Sequence, residues 1–212
     1  MVDDTHTDAV LVEQAYRHAR GELIRALAAR VSRAKNLEDH SILRRRIGYC
    51  WDEDMEDALL KMVSGEGATL EAVELAFSIL IKNDCVEAYS IAETVLNSSE
   101  PGSDSAKAVI AGKALLCYGK DRGWSTVWPV MKASSQLGCR LLEETLCSSD
   151  HGRLPWEGSL SERRLGEFYR WLQCQYPPQE YALPLGAHYS DIKDKITELR
   201  DSIPRLIADR GT

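Results

Sequence analysis

A run of acidic side chains is the feature of the sequence most suggestive of chemistry. The run consists of Asp52, Glu53, Asp54, Glu56 and Asp57. On a helix, Asp52 and Glu56 share a face, so the two carboxylates could act as a general acid and base or bind a cation through oxygen. No second helix with matching His or Glu ligands is evident, although a two-metal bundle needs one. Acidic residues also favour the positive end of a helix, and this structural role explains most of the run.

Cysteine and histidine are the other potential ligands and nucleophiles. The group that could surround a zinc ion consists of Cys139, Cys147, His151 and Cys174. Tight structural zinc sites usually include a close cysteine pair, and none of the six cysteines lies in a CxxC motif. Cys85, Cys117 and Cys174 occur in apolar helical patterns, where a free thiol packs as a small hydrophobic group. We therefore predict buried, unpaired thiols, no metal and no cofactor.

The segment Ala111-Gly112-Lys113-Ala114 comes nearest to a nucleotide-binding loop. A P-loop requires GxxxxGK followed by Ser or Thr, because backbone amides and the lysine hold the phosphates while the hydroxyl binds magnesium. Lys107 stands in place of the first glycine, and Ala114 stands in place of the hydroxyl residue. The GxSxG, HExxH and GxGxxG motifs are also absent from the sequence. The prediction is that this chain is not an enzyme.

Charge is unevenly distributed along the chain. Residues 17–46 are rich in arginine, whereas acidic residues outnumber basic ones in residues 52–100. A basic patch could bind the phosphates of a nucleic acid. However, the net charge is -7, the pI is about 5.3, and no aromatic residues lie between the arginines. Nucleic-acid binding through residues 17–46 is therefore the less favoured hypothesis. The alternative is that the opposite charges of the two segments offset each other, or that both segments are simply solvated.

The composition is that of a globular protein. The 212 residues suffice for one large domain or a short array of repeats, and 44% of them are apolar while 28% are charged. No stretch approaches the roughly 20 apolar residues of a membrane helix. The acidic start, Met1-Val2-Asp3-Asp4, lacks the apolar core of a secretion signal. These features predict a cytoplasmic protein.

Helices are the elements that must position all of these residues, because apolar positions recur at spacings of three and four. The pattern predicts helices at about 7–32, 52–62, 104–117, 126–136, 140–147, 161–175 and 191–208, with two more that begin at the N-caps Thr69 and Asp84. Pro204 should kink or shorten the last of them. No convincing alternation at period two occurs, which indicates an all-α fold.

The spacing of these helices also suggests an architecture. Helix starts near residues 52, 69, 84 and 104 recur at roughly 32 to 35 residues per helix pair, the range of helical repeats. This favours an irregular α-solenoid of antiparallel helix pairs, HEAT-like or TPR-like, over a compact helical bundle. Residues 1–212 are predicted to form a single helical-repeat domain with a weak internal break near 97–103, where turn-forming residues concentrate.

Aromatic residues are the candidates for a partner surface. Trp124 and Trp128 are four residues apart, and Phe168, Tyr169 and Trp171 cluster on one predicted helix. Most of these rings should wedge helices together in the core. Any exposed subset would mark a protein-binding surface, because Trp, Tyr and Arg are enriched at interface anchors. The residues named for such a surface are Trp124, Trp128, Tyr169 and Arg170.

Three ordered blocks in the second half of the chain carry a family resemblance. The first joins residues 123–129 (GWSTVWP) to 138–140 (GCR), and the second joins 165–172 (LGEFYRWL) to 175–178 (QYPP). The third comprises residues 186–188 (GAH), 200–202 (RDS) and 208–212 (ADRGT). Together, over about residues 123–212, they resemble the helical-repeat region of large bacterial NACHT-type STAND NTPases.

This resemblance implies an α-helical module that lies C-terminal to a nucleotide-binding domain in a longer chain. In such proteins the region is thought to sense a ligand or to hold the switch closed, often in defence against phage. The NTPase and effector domains would then be partners in cis. We therefore expect a non-catalytic interaction or sensor module with a protein partner and no membrane partner. A stand-alone protein-binding adaptor is the alternative.

Overall fold

The structure is a computed structural model that describes residues 4–34, 37–65, 67–98, 106–147, 154, 156, 160–177 and 191–210. Ten α-helices and no β-strand occur within these residues. The predicted all-α fold is therefore confirmed. The helices are α1 (Asp4–Val31), α2 (Leu37–Gly48), α3 (Glu53–Ser64), α4 (Leu70–Lys82), α5 (Val86–Ser98), α6 (Ala106–Tyr118), α7 (Lys120–Ala133), α8 (Ser135–Cys147), α9 (Glu162–Gln175) and α10 (Asp191–Arg210).

The predicted helices are present, with shifts of several residues at some of their ends. Thr69 is the N-cap of α4, as predicted, and its hydroxyl accepts a hydrogen bond of 3.2 Å from the Ala72 N–H. The helix expected at 126–136 instead begins at Lys120 and ends at Ala133. Most of the loop predicted at 148–159 and most of the break predicted at 97–103 lie outside the described residues.

The structure differs from the predicted helices in two places. The sequence pattern did not predict α2, yet Leu43 and Ile47 on this helix are buried. Pro204 was expected to kink or shorten the last helix, and it does not shorten it, because α10 continues through Pro204 to Arg210. Proline has no N–H, so the Arg200 carbonyl one turn earlier lacks its usual helical donor.

Asp84 ends α4 and does not cap α5, which corrects the predicted N-cap. Its backbone has a φ of 57°, the left-handed conformation common just after a helix. The Cys85 N–H donates to the Leu80 carbonyl at 3.1 Å, and the Asp84 N–H donates to the Ile81 carbonyl at 3.1 Å. This pair of bonds is the Schellman motif that closes a helix. Because α5 begins at Val86, Cys85 occupies its N-cap position.

Glycine at position 84 should stabilise the protein. A non-glycine residue in the left-handed conformation costs about 1 kcal/mol, so we expect Asp84→Gly to raise the free energy of unfolding by about that amount. Urea unfolding followed by circular dichroism measures the change. Asn83→Gly is the matched control, because Asn83 has a φ of -93° and bonds to the Ile79 carbonyl through its side chain. A loss of stability in Asp84→Gly would contradict the assignment.

The chain divides into two compact units, Met1–Val95 and Leu96–Thr212. In the first unit, α4 is buried around nearly its whole circumference, and Ala72, Val73 and residues 75–81 are all inaccessible. Helices α1, α2 and α3 contact it. A helix that is apolar on every side forms the centre of a core, so α4 is the helix around which this unit is built.

In the second unit, α6 is the central helix, as α4 is in the first. Residues 108–112 and 114–116 of this helix are buried, and α7 and α8 both pack against it. Helices α7 and α8 also contact each other, and α10 contacts both α8 and α9. The helices of each unit therefore pack mainly against those that are near them in the sequence.

The close approach of α6 and α7 depends on glycine. A Cβ atom added to Gly123 would lie 2.8 Å from the Leu115 carbonyl carbon and nearer still to its oxygen. Real Cβ atoms essentially never come within 3.0 Å of another heavy atom in this way. The first glycine of the GWSTVWP block is therefore required by backbone packing between two helices.

Candidate functional site

Five aromatic rings form one cluster in the second unit. They belong to Trp124 and Trp128 of α7, to Trp156, and to Phe168 and Trp171 of α9. Phe168 lies at the centre, with its ring centroid 5.0 Å from that of Trp156 and 5.6 Å from that of Trp124. Several pairs meet edge to face, the arrangement that aromatic quadrupoles favour. The cluster is the packing contact that joins α7 to α9.

Two of the four residues named for a partner surface are buried, and the other two are not. Trp124 is 1% exposed and Trp128 is 7% exposed, so both are core residues and are removed from any partner surface. Tyr169 is half-buried and Arg170 is exposed. The Arg170 Nε donates a hydrogen bond of 3.2 Å to the Gly166 carbonyl of the same helix. Tyr169 and Arg170 therefore remain the predicted surface residues.

Charged side chains occupy the face of α9 that carries Arg170. Arg163 and Glu167 form an ion pair of 3.2 Å one helical turn apart. The hydrogen bond from Arg163 holds the pKa of the Glu167 carboxyl below its usual value, although partial burial opposes this effect. Lys132 of α7 lies over the Trp128 ring, 5.4 Å from its centroid. The outer rim of the aromatic cluster is thus a polar surface of mixed sign.

Asp52, the most promising member of the acidic run, has a structural role. It is the N-cap of α3, and its carboxylate accepts a hydrogen bond of 2.8 Å from the Met55 N–H. The same carboxylate accepts from the Tyr16 hydroxyl and, at 2.7 Å, from Arg20 Nε. Tyr16 and Arg20 lie on either side of Ala19, where α1 has a non-helical backbone. Asp52 therefore fixes both parts of α1 to the start of α3.

These hydrogen bonds also control the ionisation of Asp52. Burial by itself raises the pKa of this carboxyl, but the bonds from Tyr16, Met55 and Arg20 together lower it below the ordinary 3.8. Asp54 forms a further ion pair of 2.7 Å with Arg20. The carboxylate is thus held ionised and fully hydrogen-bonded, as a structural anchor requires.

Removal of the Asp52 charge should destabilise the first unit. We expect Asp52→Asn to cost about 2 kcal/mol near neutral pH, because an ionised acceptor is lost while the helix cap is kept. Since the folded-state pKa lies below 3.8, the contribution is complete above that value and is lost as the pH falls through the folded value. The difference in free energy of unfolding between wild type and Asp52→Asn should therefore become smaller in acid.

Denaturant unfolding between pH 7 and pH 3 tests this expectation. Asp57→Asn is the control, since Asp57 is an exposed residue of the same helix. The role assigned to Asp52 would be contradicted if the loss of unfolding free energy in Asp52→Asn did not depend on pH. An equal loss in Asp57→Asn would also contradict it.

The arginine-rich segment is largely occupied by ion pairs. Arg20 contacts Asp52 and Asp54, and both Arg45 and Arg46 contact Asp8, at 3.8 and 2.9 Å. Arg17 and Arg25 pair with glutamates on their own helix, Glu13 and Glu22. These contacts favour the alternative in which the arginines offset nearby acidic residues. Nucleic-acid binding through residues 17–46 stays a prediction.

The cysteines are free thiols in very different environments. Cys50 and Cys85 are buried, Cys117 and Cys139 are half-buried, and Cys147 and Cys174 are exposed. The expectation of buried thiols is wrong for Cys147 and Cys174. On α9 the buried face carries Leu165, Phe168 and Leu172 instead of Cys174. His151, which completed the zinc hypothesis, lies outside the described residues.

The spacing of residues in the sequence did not reveal a cluster around Cys85. The Cys85 thiol and one carboxylate oxygen each from Glu56 and Glu87 lie within 4.8 Å of one another. Burial and the neighbouring carboxylates raise the pKa of the Cys85 thiol to about 11, although a hydrogen bond from the Ala88 N–H opposes this. Glu56 comes from α3 and is far from Cys85 in the sequence, so no local motif could have indicated the group.

Comparison with known proteins gives no identification. No protein family, no curated protein and no solved structure matches this chain. Among the residues that the structure describes, no helix is both long enough and apolar enough to cross a membrane.

Proposed function

We propose that the chain is a non-catalytic helical-repeat interaction or sensor module that acts in the cytoplasm. The proposal includes a relationship to the helical-repeat region of bacterial NACHT-type STAND NTPases, with the nucleotide-binding and effector domains of such a protein as its partners. The alternative is a stand-alone protein-binding adaptor. Both functions need a rigid helical surface and neither needs a catalytic residue.

One observation carries the proposal, namely the contact between blocks that are separate in the sequence. Trp124 and Trp128 of the first block pack on Phe168 and Trp171 of the second. A Cβ on Gly138, also from the first block, would lie 2.9 Å from the Trp171 ring. Residues of the first two blocks thus form one packing unit, which supports the interpretation that these two blocks belong to one helical module.

The rim of this packing unit is the proposed partner surface. Arg170 lies on the same face of α9 as the ion pair of Arg163 and Glu167, and the half-buried Tyr169 precedes it in the sequence. Tyrosine and arginine contribute disproportionately to protein interfaces because each combines a large contact area with directed hydrogen bonds. The mixed charge around them suits a polar rim, which protein interfaces have at their margins.

Photo-crosslinking in cells of the source organism tests the proposal. A photoreactive phenylalanine analogue replaces Tyr169 in the full chain, and in a control it replaces Glu93, an exposed residue of α5. We expect light-dependent adducts from position 169 that contain peptides of a P-loop nucleotide-binding protein. Adducts with proteins that lack a P-loop would favour the adaptor alternative. Equal labelling at the two positions, or none at 169, would contradict the proposed surface.

Substitution of Arg170 provides an independent check. We expect Arg170→Glu to reduce the adduct yield at position 169 severalfold while it changes the free energy of unfolding by less than about 0.5 kcal/mol, since the side chain is exposed. Crosslink yield and thermal unfolding are measured on the same preparations. A loss of stability that parallels the loss of adduct would mean that Arg170 acts on the fold and not on a partner.

A further inference from the structure

The residues Glu56, Cys85 and Glu87 bring three metal-ligating atoms together from two helices. Glu56 lies on α3, while Cys85 precedes α5 and Glu87 lies in its first turn. All three ligand atoms are within 4.8 Å of one another. Cys85 is 3% exposed, Glu56 is half-buried and Glu87 is exposed, so solvent reaches the group from the Glu87 side.

The spacing within the group is close to that of a coordinated ion. The Cys85 thiol donates a hydrogen bond to Oε2 of Glu87, and its sulfur lies 3.9 Å from that oxygen. Around a tetrahedral zinc ion, with bonds of about 2.3 Å to sulfur and about 2.1 Å to oxygen, a sulfur and an oxygen ligand are about 3.6 Å apart. The Cys85–Glu87 separation is thus only slightly longer than that of two zinc ligands, and the Glu56 oxygen lies within 4.8 Å of both atoms.

The charge of the group also favours a cation. In the described part of the chain, neither Glu56 nor Glu87 forms an ion pair with a lysine or an arginine. Two carboxylates this close repel each other, and the positive end of α5 offsets that repulsion only partly. By contrast, Asp8 and Asp52, in the same unit, have arginine partners.

We propose that Glu56, Cys85 and Glu87 bind a thiophilic divalent cation of the zinc class and thereby join α3 to the start of α5. One sulfur and two oxygen donors suit zinc or cobalt, whereas magnesium and calcium prefer oxygen alone. On binding, the Cys85 S–H bond breaks, a sulfur–metal bond forms and one proton passes to solvent. The exposed Glu87 carboxylate gives the ion its entry path, and water would complete the tetrahedron.

The structural alternative is that Cys85 serves only the turn between α4 and α5. Its buried side chain fits the hydrophobic contact that follows a Schellman motif, and its thiol accepts from the Ala88 N–H. In that case the Glu87 carboxylate only accepts the hydrogen bond of the thiol. The two interpretations differ in whether the purified chain binds metal through this thiol.

Cobalt titration of the full chain, after removal of metal with a chelator, distinguishes the two. Thiolate coordination gives cobalt a charge-transfer absorption in the near ultraviolet, and zinc should displace it. We expect one equivalent bound in the wild type, no charge-transfer absorption in Cys85→Ser, and an affinity lower by about 10- to 100-fold in Glu87→Gln. Cys174→Ser and Glu93→Gln are the controls, because both residues are exposed and lie outside the group.

The outcomes separate clearly. The site would be supported if both controls bound cobalt as the wild type does, while Cys85→Ser lost the charge-transfer absorption and Glu87→Gln bound cobalt more weakly. Absence of the absorption in wild type, or its persistence in Cys85→Ser, would overturn it. If Cys85→Ser does not fold by circular dichroism, Glu56→Gln and Glu87→Gln decide the question, since an affinity unchanged in both would refute the proposal. None of these readouts depends on the proposed partner of α9.

Discussion

Alanine in place of Gly123 is expected to destabilise the second unit by about 3 kcal/mol or more, the upper end of the cost of overpacking. The added Cβ would lie 2.8 Å from the Leu115 carbonyl carbon, and a backbone atom of α6 cannot rotate away as a side chain can. Relief would require α6 and α7 to move apart. That movement would open the core of the unit, because Trp124, Val127 and Trp128 are buried on α7.

Urea unfolding monitored by tryptophan fluorescence measures this effect, since four of the five tryptophans, all except Trp51, lie in the second unit. Gly166→Ala is the matched control. A Cβ at Gly166 would meet no atom within 4 Å, and alanine is the better helix former, so this change should stabilise α9 by up to about 1 kcal/mol. A Gly123→Ala protein as stable as the control would show that the helices do not approach closely at this point.

Truncation of Phe168 is the second large effect. Its side chain is fully buried and contacts the rings of four tryptophans, so we expect Phe168→Ala to cost about 3–5 kcal/mol. The loss combines reduced burial of apolar area with a cavity that rigid indoles cannot fill. The near-ultraviolet circular dichroism of the tryptophans should also weaken, because their packing against the phenyl ring fixes their orientation.

Arg170→Ala on the exposed side of the same helix is the control for Phe168→Ala, and it should change stability by less than about 0.5 kcal/mol. Both proteins are unfolded in urea under identical conditions. Similar losses in the two variants would mean that α9 as a whole is sensitive to truncation. A small loss confined to Phe168→Ala would mean that the cluster collapses around the cavity and that its rings are not rigidly packed.

Helical periodicity predicted the all-α fold and most of its helices, because an amphipathic pattern is a local property of the chain. The N-cap Thr69 was also identifiable, since its hydroxyl bonds within its own first turn. The same local criterion assigned Asp84 to the wrong helix. An aspartate beside a helix can cap the next helix or end the previous one, and only the backbone conformation, with a φ of 57°, decides between the two.

The pattern of residues along the chain is enough to predict most of the helices and the apolar faces that they bury, since apolar spacing and local hydrogen bonds depend on near neighbours. The roles of residues whose partners are distant became clear from the packed helices alone. Asp52 became an anchor because α1 brings Tyr16 and Arg20 to it. Trp124 and Trp128 became core because α9 covers them. The Cys85 cluster exists because Glu56 of α3 reaches the start of α5. Such contacts depend on how helices pack in three dimensions, which spacing along one chain does not encode.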